Sequence, residues 1–362
     1  TSNNDYFVAA EFWVSGDLGK KRPDMVGFIN GIPLVVIELK AIHVNVKKGY
    51  DENISDYKTT IPQLFWYNAF IIVSNGLESR LGTLSSKWEH FNEWPKSASE
   101  NDSRASKEVA LETIIRGTCS KENLSDLAEN FIVYTETSGS LVKMVSKNHQ
   151  YLGVNNAVQA LKEIETRDGK LGVFWHTQGS GKSLSMIFFC QKVLRKVPGD
   201  WTFVIVTDRQ ELDTQIYRNF AAADVITETH TQADSSKHLR ELLGENHRFV
   251  FTLVHKFREE PGKVHPVLSE RSNIIVITDE SHRSQYDMLA ENMRNALPNA
   301  SFLAFTGTPL ISGQEERTRE VFGEYISIYN FRQSVEDGAT VPLYYENRMP
   351  ELQLTNESLT TD

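Results

Sequence analysis

Three short stretches of this sequence carry residues of the types and spacings that chemistry requires. The first is Thr177-Gln178-Gly179-Ser180-Gly181-Lys182-Ser183, which follows an apolar run and precedes a helix-compatible segment, Leu184 to Leu194. Its glycines let backbone N–H groups converge on phosphate oxygens at a helix N-terminus, where Lys182 adds positive charge and the Ser183 hydroxyl can ligate Mg2+. His176 stands where the first glycine of such a loop is usual. The second stretch, Asp279-Glu280-Ser281-His282, closes another apolar run. There Asp279 suits Mg2+ held through water, and Glu280 suits orienting a hydrolytic water. The third is Asp24 followed by Glu38-Leu39-Lys40. Two carboxylates can hold Mg2+ while a lysine positions or activates an attacking water, and Glu38 and Lys40, two apart on a strand, share a face. Each has a plain alternative, namely a glycine-rich turn, a surface pair of acids, or an ion pair on an amphipathic hairpin. Against the last, Val35-Val36-Ile37 is apolar on both faces, and charges that extend a buried strand are costly unless they work or pair.

The elements that must position these residues fall into two rhythms. From Glu11 to about Asn75 the sequence reads as strands with one or two helices. The expected strands are Phe12-Trp13-Val14, Met25 to Ile29, Leu34 to Leu39 and Ala69 to Ser74, with Asn30-Gly31 as a hairpin turn. Asp51 to Trp66 has helical spacing, and Ile61-Pro62 should break it. Gln63 and Tyr67, four apart, would share one helical face. Residues 97–107 are polar and read as an exposed loop. Leu124 to Phe131 reads as a helix leading to a junction at Ser138-Gly139-Ser140. Beyond Lys147 strands alternate with helices: Leu171 to Trp175, Phe203 to Val206, Phe249 to Leu253, Ile274 to Ile277 and Phe302 to Phe305. That alternation predicts a parallel sheet covered by helices on both faces, an α/β fold.

The hairpin poses a geometric test. A strict two-residue turn at Asn30-Gly31 places Asp24 opposite Ile37, on the wrong face for sharing a cation with Glu38. An extra residue at the turn brings Asp24 diagonal to or opposite Glu38. The sequence reading therefore expects a glycine bulge at the turn.

Composition bounds the rest. The 362 residues suit about two domains, and hydrophobic residues at 40% with charged residues at 24% are ordinary for a globular protein. There is no membrane-length apolar run and no secretion signal at the start. Two cysteines, Cys119 and Cys190, give no disulfide framework or zinc site and fit a reducing cytoplasm. A net charge of −10 is awkward for a protein that grips phosphates unaided and points to partner subunits.

Residue by residue, the sequence resembles known families. Asp279 to His282 resembles motif II of superfamily 2 helicases and translocases, and Thr306-Gly307-Thr308-Pro309 resembles motif III, which couples ATP state to DNA grip there. Thr207-Asp208-Arg209 looks like motif Ia, which contacts the DNA backbone, and Gln150 stands where an adenine-reading glutamine would. Asp24, Glu38 and Lys40 resemble the PD-(D/E)xK nuclease pattern, and Gln63 with Tyr67 resembles the Gln-x-x-x-Tyr motif beside it. Both modules in this order resemble the R subunit of type I restriction-modification enzymes, also through Ser74-Asn75-Gly76 and Val335 to Pro342.

The resemblance implies a PD-(D/E)xK nuclease domain over residues 1–140 and a RecA-like lobe over 141–345, with 346–362 leading toward a second lobe. It implies ATP and Mg2+ as cofactors, with Ser183 and Asp279 on the ATP-bound metal and Asp24 and Glu38 on the nuclease metal. It also implies double-stranded DNA, methylation and specificity subunits as partners, with no membrane. On this reading the chain is part of a longer protein, and its single lobe should turn over little ATP. Rival expectations are a translocase with an inactive nuclease relic, a type III or solitary ATP-dependent restriction enzyme, and a nucleotide-dependent scaffold.

Overall fold

A computed structural model describes residues 3–137, 139–223, 225–226, 231–258, 265–279, 286–308 and 315–341. The N-terminal module runs β1 (Tyr6–Ala10), β2 (Val14–Gly16), β3 (Gly19–Lys21), β4 (Met25–Ile29), β5 (Ile32–Leu39), a π-helical turn (Gly49–Ile54), α1 (Ser55–Thr60), β6 (Phe70–Ser74) and β7 (Ser79–Gly82). Five of the strands form a mixed sheet in the order β1-β4-β5-β6-β7, in which only β5 and β6 run parallel. β5 and β6 are apolar on both faces because both faces are covered. Val36, Ile71 and Val73 pack on Ile54, Tyr57 and Ile61 of the α1 region. Ile37, Phe70 and Ile72 pack on Ile114, Leu124 and Leu127, which belong to α2 (Ala110–Cys119) and α3 (Lys121–Asn130).

The hairpin between β4 and β5 corrects one expectation and keeps its consequence. Asn30 and Gly31, at φ 53° and 78°, make a tight two-residue turn with no bulge, because two left-handed residues match the twist of the flanking strands. The extra residue lies further in. Phe28 pairs with Pro33 but Gly27 pairs with Val35, leaving Leu34 over, so Val26 faces Val36 and Met25 faces Ile37. The bulge is set by burial, since it turns Val26 and Val36 together into the cluster beneath α1.

Other expectations shift in this module. The strand expected at Phe12 begins only at Val14, and β1, β3 and β7 lie outside the expected strands. The helix expected from Asp51 to Trp66 is a π-helical turn, then α1, then a separate 3-10 turn, Pro62–Phe65. Gln63 and Tyr67 therefore do not share a helical face.

The C-terminal module follows the hairpin β8 (Ile132–Thr137) and β9 (Ser140–Val145). It comprises α4 (Asn148–Lys162), β10 (Lys170–His176), α5 (Lys182–Lys196), β11 (Thr202–Thr207), α6 (Gln210–Ala222), α7 (Ser236–Gly244), β12 (Phe249–Leu253), β13 (Ile274–Asp279), α8 (Tyr286–Ala296), β14 (Ser301–Thr306), α9 (Glu315–Phe322), β15 (Tyr325–Tyr329) and α10 (Phe331–Glu336). Six parallel strands lie in the order β12-β11-β13-β14-β10-β15. Five were expected. The sixth, β15, sits at the sheet edge with an alternating burial pattern, so it lacks the continuous apolar run of a doubly covered strand.

Residue 140, where the sequence divides the modules, lies inside the β8–β9 hairpin, whose strands pair from Ile132–Val145 to Thr137–Ser140. One apolar cluster runs through both modules, from Ile37 and Ile72 through Phe131 to Phe188 and Phe305. Across this junction the Lys192 ammonium pairs with both Asp126 carboxylate oxygens at 2.6 Å. Among the described residues no helix is long and apolar enough to cross a membrane.

Candidate active sites

The first site forms where β4 begins and β5 ends. Met25 pairs with Ile37 in an antiparallel ladder, so one more step sets Asp24 opposite Glu38. Alternation then turns Asp24, Glu38 and Lys40 to the face that Val26 and Val36 share. Asp24 Oδ2 accepts the Leu39 N–H at 2.7 Å. Glu38 is 1% exposed, and its Oε1 accepts from Lys40 Nζ at 2.9 Å. Burial pushes the Glu38 carboxyl above its ordinary range, the Lys40 hydrogen bond opposes this, and the nearby Asp24 charge reinforces it.

The residues fit a hard divalent cation. Glu38 Oε2 is buried and makes no hydrogen bond among the described residues, an arrangement that is costly without a ligand. Asp24 supplies a second carboxylate from across the ladder. Two carboxylates and no histidine or cysteine suit Mg2+, which keeps several waters, rather than zinc.

The helix beside the site carries residues that the sequence reading missed. Tyr57 is 5% exposed next to Glu38, and burial holds its phenol at about 12. Its hydroxyl helps stabilise the Glu38 charge and receives a hydrogen bond from Asn53 Nδ2 at 3.4 Å. Asn53 and Tyr57 have the four-residue spacing that drew attention to Gln63 and Tyr67. Those two go elsewhere: Gln63 Nε2 donates to the Ser15 carbonyl at 2.8 Å, and Tyr67 is 66% exposed. Tyr67 rims a surface cavity of about 740 Å3 beside Leu34, toward the opposite end of β5 from Glu38. Gly49 completes the pocket wall, since a Cβ there would meet Val73 Cγ1 at 2.6 Å and approach Glu38 and Lys40 at 3.5 Å.

The second site is the loop joining β10 to α5. Gly179 and Gly181 take φ of 82° and 89°, a backbone that favours glycine. The loop is held from outside. Thr177 N–H donates to the Tyr329 carbonyl at 2.9 Å, and Gln150 Nε2 donates to the Gly181 carbonyl at 3.0 Å. His149 Nε2 lies 3.1 Å from the Ser180 carbonyl, so it donates there. Lys182 Nζ reaches the His176 carbonyl at 3.5 Å. Among the described residues Ser180 Oγ is buried with no hydrogen bond of its own, a polar group poised for a phosphate oxygen, and Ser183 lies half-buried at the head of α5. The loop fits a magnesium-bound triphosphate.

His176, in the place of the usual first glycine, is the last residue of β10. It is fully buried with Nε2 2.6 Å from Ser327 Oγ, and burial, reinforced by the nearby Lys182 charge, keeps it neutral.

The remaining residues gather at the same edge of the sheet. Phe305 pairs with Asp279 on one side and Phe174 on the other, so the ends of β13, β14 and β10 lie in register. Asp279 is 7% exposed there. Thr306 Oγ1 bonds the Thr308 carbonyl at 3.0 Å and accepts the Thr308 N–H at 3.3 Å, fixing the turn through Gly307. Thr207 ends β11, and Asp208 and exposed Arg209 lead into α6. Gln150 is 1% exposed and also accepts the Lys147 N–H at 2.9 Å, so it braces the loop. Glu280, Ser281, His282 and Pro309 lie outside the described residues.

Parts of both modules are similar to known families. Residues 149–362 match the SWI2/SNF2 ATPase family, and residues 1–90 match the type I restriction enzyme R protein N terminus. The chain is 41% identical to the type I restriction enzyme HindI endonuclease subunit of Haemophilus influenzae, over 95% of the chain and 35% of that protein. It is 27% identical to the SauMSSORF170P endonuclease subunit of Staphylococcus aureus, over 89% of the chain and 34% of that protein. The chain thus spans about a third of the length of these relatives. A nuclease-deletion mutant of the type ISP restriction-modification enzyme LlaGI, solved with a DNA substrate mimic, aligns over 54% of the chain and 20% of its own at 19% identity and a TM-score of 0.40.

Proposed function

The chain belongs to the SWI2/SNF2 ATPase family, and we propose that with its N-terminal module it forms part of an R subunit of a type I restriction enzyme. From that premise we propose that it couples ATP hydrolysis to translocation on double-stranded DNA and to Mg2+-dependent cleavage of unmodified DNA, in a complex with methylation and specificity subunits. The observation that carries the cleavage half is the ladder register that sets Asp24 opposite a buried Glu38 with Lys40 beside it.

Asp24 and Glu38 would hold the nuclease Mg2+, which when bound polarises the scissile phosphate and lowers the pKa of a ligated water. Lys40 orients that water, and Tyr57 and Asn53 steady Glu38. At the second site Lys182 and the loop N–H groups of Gly179 to Ser183 hold the triphosphate, with Thr177 at the loop entrance. Ser183 and Asp279 would hold its Mg2+, and Gln150, whose amide is engaged at both ends, would steady the loop in place of reading the adenine. Glu280 and His282 would act on the γ-phosphate, while Thr207, Asp208, Arg209 and Thr306 to Thr308 link nucleotide state to DNA. The modules are proposed to divide between the β8–β9 hairpin and α4.

The test is cleavage and ATPase activity of the full-length protein reconstituted with its partner subunits. Glu38→Ala is expected to abolish cleavage and leave ATPase intact, whereas Lys182→Ala is expected to abolish both. Undiminished cleavage by Glu38→Ala sinks the nuclease reading. Translocation without Mg2+-dependent cleavage by the unaltered complex favours an inactive nuclease relic.

A further inference from the structure

The sheet edge that carries Asp24 and Glu38 is flanked by two cationic segments. Residues 18–22 and 40–48 together hold six lysines and arginines and no aspartate or glutamate, in a chain whose net charge is −10. The first segment enters β4 just before Asp24, and the second leaves β5 just after Glu38. Because those strands are antiparallel, both segments lie at the same end of the sheet.

The first segment is the return arm of the β2–β3 hairpin, which is fixed to α1. Gly16 lies so close to α1 that a Cβ would sit 2.0 Å from the Thr60 carbonyl oxygen. Gln63 holds the Ser15 carbonyl, and Lys21 pairs with Asp56 at 2.5 Å. The hairpin therefore rides on the helix whose Tyr57 packs beside Glu38. From this anchored base it presents Lys20 to solvent, with Leu18 71% and Trp13 63% exposed. The Arg22 guanidinium lies 5.5 Å over the Trp13 ring.

The cations nearest solvent are loosely engaged. Arg22 meets Glu11 at 3.3 Å, Lys47 meets Asp51 at 3.5 Å and Lys48 meets Glu52 at 4.0 Å, every partner about half exposed or more. Such pairs contribute little and yield to a stronger anion. A rigid arm with exposed cations and apolar side chains, set beside a two-carboxylate cation site, is complementary to a polyanion delivered to that site.

Resting on the reading of Asp24, Glu38 and Lys40 as a cleavage centre, we propose that residues 18–22 and 40–48 are the two banks of a cleft that holds the duplex DNA backbone across that centre. Lys20 and Arg22 on the hairpin, and Lys47 and Lys48 opposite, take phosphates on either side of the scissile bond. These are positioning residues, and they act by orienting the strand rather than by touching the reacting atoms.

The experiment uses the full-length protein and a short duplex oligonucleotide without a recognition site, titrated at increasing NaCl without ATP or divalent metal. Each phosphate contact contributes about 0.9 to the log–log salt slope. The Lys20→Ala/Arg22→Ala and Lys47→Ala/Lys48→Ala proteins are each expected to lose about two from that slope. In the reconstituted complex both should cleave about tenfold or more slowly at moderate salt while ATPase stays unchanged. A slope and a cleavage rate equal to the parent protein's would overturn the proposal. So would failure of the variants to assemble with the partner subunits, which would make this face a protein-docking surface. Glu38→Ala measured alongside separates the two readings. Cleavage that survives Glu38→Ala removes the cleavage centre, while the salt slope, read without cleavage, still decides the cleft.

Discussion

Glu38 sits in an environment that disfavours its own charge: it is 1% exposed, one oxygen lacks a hydrogen bond, and Asp24 faces it across the ladder. Among the described residues Lys40 and the Tyr57 hydroxyl offset this in part, so a bound cation would complete the balance. Tyr57 is therefore expected to act through Glu38. Tyr57→Phe, which removes the hydroxyl that helps stabilise the Glu38 charge, should lower Mg2+-dependent cleavage by roughly 10- to 100-fold, the usual effect of losing a group that supports a metal ligand. The loss should shrink as Mg2+ is raised, and ATPase should be unchanged. A fixed deficit at every Mg2+ concentration would count against this role. The same residue marks where the sequence stopped being legible. Asp24, Glu38, Lys40 and the Thr177–Ser183 loop could be read because their chemistry depends on neighbours close in sequence. Tyr57 could not be preferred over Tyr67, since spacing alone does not say which four-residue pair stays helical. Pro62 ends α1 and starts a 3-10 turn, and that sends Tyr67 to the surface.

At the scale of elements, two small backbone features orient the cleavage site. Leu34, unpaired in the ladder, moves the β4–β5 register by one residue, and a single step decides whether Asp24 faces Glu38 or Ile37. The sequence implied such a slip but located it at the turn. Asn30-Gly31 already satisfies a tight turn, so the extra residue is taken up where core packing demands it. The second feature is Gly16, the contact on which the β2–β3 hairpin rests. Gly16→Ala would drive a methyl into the Thr60 carbonyl, backbone against backbone, with no flexible side chain to yield. It is expected to destabilise the N-terminal module by about 1–3 kcal/mol, as overpacking does. Urea denaturation followed by fluorescence would report it, and stability equal to the parent's would show that the hairpin is not anchored there. Strand existence was legible wherever both faces are apolar, as in β5, β6, β10 and β13. It failed for β1 and β15, edge strands with one face open and the apolar signal halved, whereas the edge strand β12 is buried from Phe249 to Thr252 and was legible.

Across the whole molecule, the two modules meet through more than the shared apolar cluster. The polar stretch 97–107, which reads as plain exposed loop, sends Glu100 into the other module. Its Oε1 accepts from Ser327 Oγ and its Oε2 accepts the Ile328 N–H at 3.1 Å. Arg104 bridges Glu93 and Asp337, and Asp337 in turn accepts from the Tyr329 hydroxyl at 2.9 Å. Ser327 contacts His176, and His149 stacks on Tyr329 at 3.7 Å and holds the Ser180 carbonyl, so these contacts continue to the phosphate loop. Burial raises the Glu100 carboxyl above 4.5, opposed by its bonds to Ser327 and Ile328 and by the Lys96 charge. His149, held down to about 3, and His176 stay neutral and do not titrate in that range. A carboxyl whose pKa is raised on folding binds its proton more tightly in the folded state. Its contribution is thus fully present below the unfolded value and is lost as pH rises through the folded one. Glu100→Gln removes that ionisation. The stability of the parent protein relative to Glu100→Gln is therefore expected to decline as pH climbs from 4.5 through the raised value, and to level off above it. Paired urea denaturation curves across that window measure the difference. A difference that stays flat, or grows in the parent's favour with pH, would mean that Glu100 is not buried at the junction between the modules.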